Sequence, residues 1–365
     1  MPRPCYKGPP AAKMSWICYS GIFQFPQIFF IRFFDAMPST PPDGEGLNMM
    51  WWAARHPPAD PTTSFAGQTV LITGANTGLG YEAALKFAAL GASRIIFGVR
   101  SLRKGEDARA QICQQTGYDA SNIQLYELDM STFASVKAFA EAVAKEPRLD
   151  IAVLNAGLMA TAYHVSPEGY EMCLQVMVLS TAFLGMLLLS QLQKSAAISG
   201  TPSHLEFVGS IMGRAVKADT FSQTDAKILD QVTQPDFFGF QKQYNVSKLL
   251  LFYVLDGLVE STSSSSVIIN TVCPGACRTD LGRNFSTWLR IPLNLVQTVL
   301  ARSAEEGART YVSGVTLGQE SHGQLWSADT FFSKGELVTS PRGKALQKKV
   351  WKEILEVLQP HLPGQ

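Results

Sequence analysis

The sequence predicts an α/β fold, a single domain built on a doubly wound parallel sheet, and three observations carry that reading. Short β-branched runs alternate with stretches of helical period from Ser64 onward. The first run ends in a glycine-rich turn that opens a helix, and the segments between later runs are long enough for crossover helices. The composition agrees: 365 residues, 46% hydrophobic and 17% charged, suit a folded core rather than a disordered or small disulfide-stapled chain. A formal net charge of +1 gives no broad attraction for nucleic acid or an anionic membrane, and no basic patch stands out.

Residues 1–63 differ from the rest. Eleven of the 20 prolines fall there and neither a helical nor a strand period persists, so a flexible extension is expected. Within it, residues 15–31 are uncharged and rich in Ile and Phe, after Arg3, Lys7 and Lys13, which resembles a weak membrane anchor. Gln24, Pro26 and Gln27 interrupt that run, so the expectation is a cytoplasmic protein with membrane association through this segment as the alternative. Met49 or Met50 would serve equally well as a beginning of the chain.

The alternating unit starts with Thr69–Thr73, a compact apolar run expected as a strand. It leads into Gly74, Ala75, Asn76, Thr77, Gly78, Leu79 and Gly80, then into a helical stretch from Tyr81. Glycines between a strand and a helix let backbone N–H groups and the helix N-terminus approach a pyrophosphate, which a Cβ would block. Further strands are expected at 94–99, 123–128, 149–154, 204–209 and 267–272. At the end of the second, Arg100 stands where an acidic residue would accept from the ribose of NAD. With Ser101, Arg103 and Lys104 beside it, Arg100 favours a 2′-phosphate and hence NADP(H). Residues 174–189 are apolar nearly all round and suit a helix buried in a core or between subunits.

Tyr244 and Lys248 stand four apart, on one face of a helix, where the cation would favour the phenolate. Such a tyrosine exchanges a proton with a carbonyl or alcohol, and Ser210, at the end of the fifth run, could hold the substrate oxygen beside it. The six cysteines lack the spacing of a disulfide framework or zinc site, and His164 and His204 have no partners at ligand spacing, so no metal is expected. Phe237, Phe238, Phe240 and Trp288 suggest an apolar entrance for a sizeable lipophilic substrate.

Taken together, Thr73 to Gly80, Leu128-Asp129-Met130, Asn155-Ala156-Gly157, Ser210, Tyr244 with Lys248, and Pro274-Gly275 resemble the short-chain dehydrogenase/reductase family in order and spacing. Residues 97–105 and the Tyr244 helix look most like its fungal branch that tailors secondary metabolites. The resemblance implies a Rossmann fold over residues 64–365 and an oxidoreductase acting on C=O or CH–OH groups. It implies that Gly74, Asn76, Gly78, Leu79, Gly80, Arg100, Asp129, Asn155 and Thr279 bind NADP(H). Tyr244 would be the acid/base, Ser210 would orient the substrate oxygen, and Lys248 would hold the nicotinamide ribose and depress the Tyr pKa. It further implies a homodimer or homotetramer paired through residues 174–189 and the Tyr244 helix.

One departure stands out: Met177 takes the place of an Asn that in the family holds a water linking the catalytic Lys to solvent. A thioether is at best a weak acceptor. Either another water path keeps the enzyme active, or activity is reduced, or the chain is an NADP-binding scaffold or regulator; an active enzyme is the expectation. A dehydratase or epimerase on the same fold is a third reading.

Overall fold

The computed structural model describes residues 47–221, 226–278 and 301–362. Its centre is an eight-stranded sheet in the order β3-β2-β1-β4-β5-β6-β7-β8. The strands are β1 (Thr69–Thr73), β2 (Arg94–Val99), β3 (Ile123–Glu127), β4 (Ile151–Leu154), β5 (Ser203–Val208), β6 (Val267–Val272), β7 (Leu325–Ser327) and β8 (Thr330–Phe332). All neighbours pair in parallel except the terminal hairpin of β7 with β8. The six expected strands are all found. The short β7 and β8, too brief to set up a period, were not anticipated.

Residues of each strand alternate between two cores, as a pleated backbone requires. Leu71, Ile96, Ala152, Leu205 and Ile269 face one layer, formed by α4 (Phe133–Val143), α5 (Met172–Ser199) and α7 (Phe240–Ser261). Val70, Ile72, Ile95, Phe97, Val153 and Val272 face the other, formed by α2 (Gly78–Ala89), α3 (Leu102–Thr116) and α8 (Ala304–Gly314). A sheet buried on both faces explains why its strands read as continuous apolar runs. Helix α5 is long and apolar enough to cross a membrane, yet 78% of its most apolar window is buried inside the protein. It is a core helix, as its lack of a polar face indicated.

The chain between β5 and α7 carries a short helix, α6 (Ile228–Thr233), and a four-residue turn of helix, α9 (Glu336–Thr339), precedes the C-terminal α10 (Pro341–Leu358). Helix α10 lies across α7, whose Gly257 leaves room for the Trp351 ring, and it is tied to α6 by a hydrogen bond from the Leu229 amide to Glu353 at 3.0 Å. Most of α7 from Val246 to Leu258 is buried within the chain. Helix α7 is thus covered on one side by the protein's own C-terminal helix.

Of the segment 1–63 expected as a flexible extension, residues 47–63 are described. Helix α1 (Leu47–Arg55) packs Met49, Trp52 and Ala53 against Ile211, Ala328 and Phe332. Beyond it, the Ala59 amide donates to Asp329 at 2.7 Å and Asp60 pairs with Lys86 at 2.8 Å. The packed unit therefore begins before Ser64. The proline content hid this, because the segment is held by tertiary contacts rather than by its own periodicity. Residues 15–31 lie outside the described residues.

Candidate active site

The carboxyl ends of the parallel strands meet at one edge of the sheet, and between β1 and β4 the strand order reverses, which leaves a crevice for a ligand. The turn from β1 to α2 lines it. Gly74 and Gly78 adopt φ of +69° and +57°, a region that side-chain-bearing residues rarely enter. A Cβ on Gly80 would sit 2.5 Å from the Gly74 carbonyl oxygen and 2.6 Å from Asn155 Nδ2, so only glycine allows this turn to close on α2.

Asn155, just past β4, braces the turn. Its Nδ2 donates to the Thr73 carbonyl at 2.8 Å, its Oδ1 accepts from the Tyr311 hydroxyl at 2.9 Å, and the Ala156 amide donates to Thr73 Oγ1 at 2.8 Å. Leu79 packs toward α8, close to where a Cβ of Gly307 would stand, and Asn76 is partly buried within the turn. Asp129, after β3, accepts from the Ser131 amide at 2.9 Å, which fixes the loop beside β2. Arg100 is exposed at the end of β2, next to Ser101, which caps α3, and Arg103 and Lys104 are exposed in its first turn. A cradle that a Cβ would fill, followed by a basic rim, fits a dinucleotide carrying an extra phosphate. Thr279 and Trp288 lie outside the described residues.

Ser210 ends β5, while Tyr244 and Lys248 lie on α7, and the fold brings the three together at the same edge of the sheet. Ser210 Oγ accepts from the Met212 amide at 3.2 Å and lies close enough to the Tyr244 phenol to influence its titration. Lys248 Nζ stands 5.6 Å from the Tyr244 ring centroid and donates to the Val208 carbonyl at 2.8 Å. Burial pushes the Tyr244 pKa up, the thiols of Cys273, Cys173 and Cys277 add to this, and Ser210 offsets part of it. Burial also lowers Lys248 to about 8. The depression of the tyrosine expected from Lys248 is therefore replaced by a rise in the protein alone. The reason is desolvation, which acts on both groups and which i, i+4 spacing does not register.

Several supporting residues escaped the sequence reading. Glu171, fully buried, accepts from the Cys173 and Leu174 amides at 2.9 and 3.0 Å and from Gln243 Nε2 at 2.6 Å. This bond fixes the residue next to Tyr244. Helix α5 widens over Gln175–Leu179, where the Ser180 amide bonds back five residues to Gln175. Such wide turns are frequent at functional sites. Met177 lies in it, 2% exposed, with its Cγ and Sδ 3.7 Å from where a Cβ of Gly157 would be. Tyr311 and Glu171 belong to no motif; a polar residue opening a long apolar helix was the only signal for Glu171.

Between β5 and α7 the chain supplies aromatic rings. Phe221 stacks on Phe237, Phe238 meets Tyr163 edge-on at 6.1 Å, and Lys242 Nζ lies 3.5 Å over the Phe237 ring. The Tyr163 hydroxyl donates to the Thr233 carbonyl at 2.9 Å, tying this wall to α6.

The family model for short chain dehydrogenase matches residues 68–216. The short-chain dehydrogenase/reductase ffsI of Aspergillus flavipes is 49% identical over 323 residues, which cover 88% of this chain and 95% of that protein. The short-chain dehydrogenase/reductase phmF of Phaeosphaeria nodorum is 47% identical, over 83% of this chain and 90% of that one. Among solved structures, the RhlG/NADP active-site complex of Pseudomonas aeruginosa covers 74% of this chain and 98% of its own, at 22% identity and a TM-score of 0.54, a likeness of fold.

Proposed function

The chain belongs to the short-chain dehydrogenase/reductase family of oxidoreductases, and on that premise we propose that it uses NADP(H) to reduce a ketone, or to oxidise the matching secondary alcohol, on a lipophilic intermediate of secondary metabolism. The observation that carries the reading is the convergence of Ser210 with Tyr244 and Lys248, from two elements, beside a glycine cradle that a Cβ would fill.

When bound, NADPH supplies the hydride for the carbonyl carbon. The protein supplies placement and the proton. Gly74, Asn76, Gly78, Leu79 and Gly80 would hold the pyrophosphate, Arg100 the 2′-phosphate and Asp129 the adenine side. Asn155 keeps the turn closed through Thr73 and Tyr311. Ser210 orients the substrate oxygen, and Tyr244 gives that oxygen its proton as the C–H bond forms. A phenol whose pKa burial has raised stays protonated at neutral pH, which suits the reductive direction. Lys248, anchored on the Val208 carbonyl, is within reach of the ribose side of the crevice and remains cationic below its lowered pKa of about 8. Exposed Arg100 supports NADP(H) over NAD(H), and the structurally similar RhlG is complexed with NADP, which is consistent with it.

The rings of Phe221, Phe237, Phe238 and Tyr163 support an apolar substrate of some size. The four cysteines among the described residues are free thiols, which supports a reducing compartment such as the cytoplasm. NADPH consumption by the full chain against lipophilic ketones tests the proposal. Turnover that vanishes in Tyr244→Phe is expected; turnover indifferent to that change would refute the assignment of Tyr244. Met177→Asn, run alongside, reads whether the family's water relay has been bypassed in this chain or lost.

A further inference from the structure

Arg302 is 2% exposed, yet its guanidinium faces carbonyl oxygens rather than a carboxylate. Nε donates to the Ala53 carbonyl at 2.8 Å, Nη2 to the His56 carbonyl at 2.7 Å and Nη1 to the Pro274 carbonyl at 3.2 Å. The first two lie at and just past the carboxyl end of α1, where terminal carbonyls and the helix dipole give a partial negative charge. The buried cation is thus hydrogen-bonded by a helix end, with Glu306 and Asp329 adding to its electrostatic balance at longer range. The third belongs to the loop that leaves β6 at the same sheet edge as Ser210.

The backbone repeats the connection. Arg302 N donates to the Ala276 carbonyl at 2.8 Å and its own carbonyl accepts from the Arg278 amide at 2.9 Å. Helix α1 in turn rests on Ile211, the residue after Ser210, through Met49, Trp52 and Ala53. The Ile211 amide donates to Cys273 Sγ at 3.4 Å, which closes the circuit from α1 to the Ser210 turn and back to the β6 loop. His56 seals the helix end, stacked on Trp52 at 4.5 Å and bonded through Nδ1 to the Trp52 carbonyl at 2.9 Å.

We propose that Arg302 is a positioning residue for hydride transfer, which uses the carbonyls at the carboxyl end of α1 as its acceptors to hold the Pro274–Arg278 loop and the Ser210–Ile211 turn in mutual register. The inference deepens the proposed function and rests on it for the reacting groups. It gives residues 47–56 a task in the site: they supply a wall behind Ser210 and the acceptors for Arg302. Lysine at 302 would keep the charge and reach some of the three acceptors, but not in the fixed fork of a guanidinium.

The test uses the full chain with Arg302→Met, Arg302→Lys and Trp52→Ala, and measures kcat, affinity for NADPH and for 2′,5′-ADP, and amide hydrogen exchange. For Arg302→Met, 2′,5′-ADP should bind as to the wild type, because the glycine turn and Arg100 are untouched. Turnover should fall about 10- to 100-fold, the cost of a small misplacement of reacting groups. Exchange should quicken together at the Arg278, Ile211 and His56 amides. Trp52→Ala should loosen the same amides to a smaller extent, and it answers the question if Arg302→Met does not fold. Arg302→Lys should recover part of the turnover.

Unchanged kcat, an equal loss of affinity for NADPH and 2′,5′-ADP, or faster exchange at His56 with Arg278 and Ile211 unmoved would each overturn the proposal. If the wild-type protein binds NADPH but reduces no ketone, the functional reading fails separately. The exchange pattern still decides whether Arg302 holds the loop and the Ser210–Ile211 turn in register.

Discussion

Replacing Gly80 by Ala places one methyl group where the fold is least able to receive it. Gly80 is in the first turn of α2, and in an open helix the change would stabilise by about 1 kcal/mol. Here the methyl carbon would stand 2.5 Å from the Gly74 carbonyl oxygen and 2.6 Å from Asn155 Nδ2. The backbone oxygen cannot swing aside, and the Asn155 amide is held by Thr73 and Tyr311. Moving it forfeits two buried hydrogen bonds at about 1 kcal/mol each. Overpacking adds roughly 1–3 kcal/mol. Less the helix gain, the net destabilisation is about 2–4 kcal/mol, which for a chain of this size is a drop in Tm of about 3–5 °C.

Thermal unfolding and an NADPH fluorescence titration read the two consequences, loss of stability and loss of the cradle. Gly80→Ala combined with Asn155→Ala should cost less than the sum of the single changes, because removing the amide relieves one of the two clashes. Unchanged Tm and affinity in Gly80→Ala, or strictly additive effects in the double variant, would refute the reasoning that the turn and Asn155 form one braced unit.

Other outcomes follow from the same structure. The pH profile of kcat/KM for reduction should fall above about pH 8, as Lys248 loses its charge, and this limb should disappear in Lys248→Met; a flat profile through pH 9 would contradict the assignment. Glu206 on β5 is fully buried with both carboxyl oxygens unpartnered, and burial raises its pKa well above the usual range. The native state then keeps a proton that the unfolded chain releases as pH rises past about 4.5, so this group costs stability toward neutral pH. Glu206→Gln should raise Tm, by an amount that grows between about pH 5 and pH 8; a gain independent of pH in calorimetry would count against it. Gln243→Leu removes the 2.6 Å bond to buried Glu171 and should cost about 1–3 kcal/mol in chemical denaturation together with a lower kcat, whereas an unaltered kcat would detach this pair from the placement of Tyr244.

The sequence by itself determined the layers of this protein. Alternating apolar runs and helical stretches specify a two-faced parallel sheet, because strand and helix periods and backbone sterics are properties of a few consecutive residues. For the same reason the glycine turn and the Tyr244–Lys248 pair were legible: each is a short-range pattern whose chemistry follows from its spacing.

What only the tertiary structure decided are the relations between distant segments. Arg302 meets Ala53 across most of the chain, Tyr311 reaches Asn155, and Gln243 finds Glu171; none of these pairs leaves a periodic trace. The segment 47–63 looked like a loose extension because its prolines break local period, yet it is held by a buried guanidinium and by apolar packing. Likewise the Tyr244 pKa rises where spacing alone suggested a fall, since desolvation depends on everything packed around a group and not on its neighbour four residues away. Local backbone geometry is written residue by residue, whereas burial and long-range hydrogen bonding exist only once the chain has closed on itself.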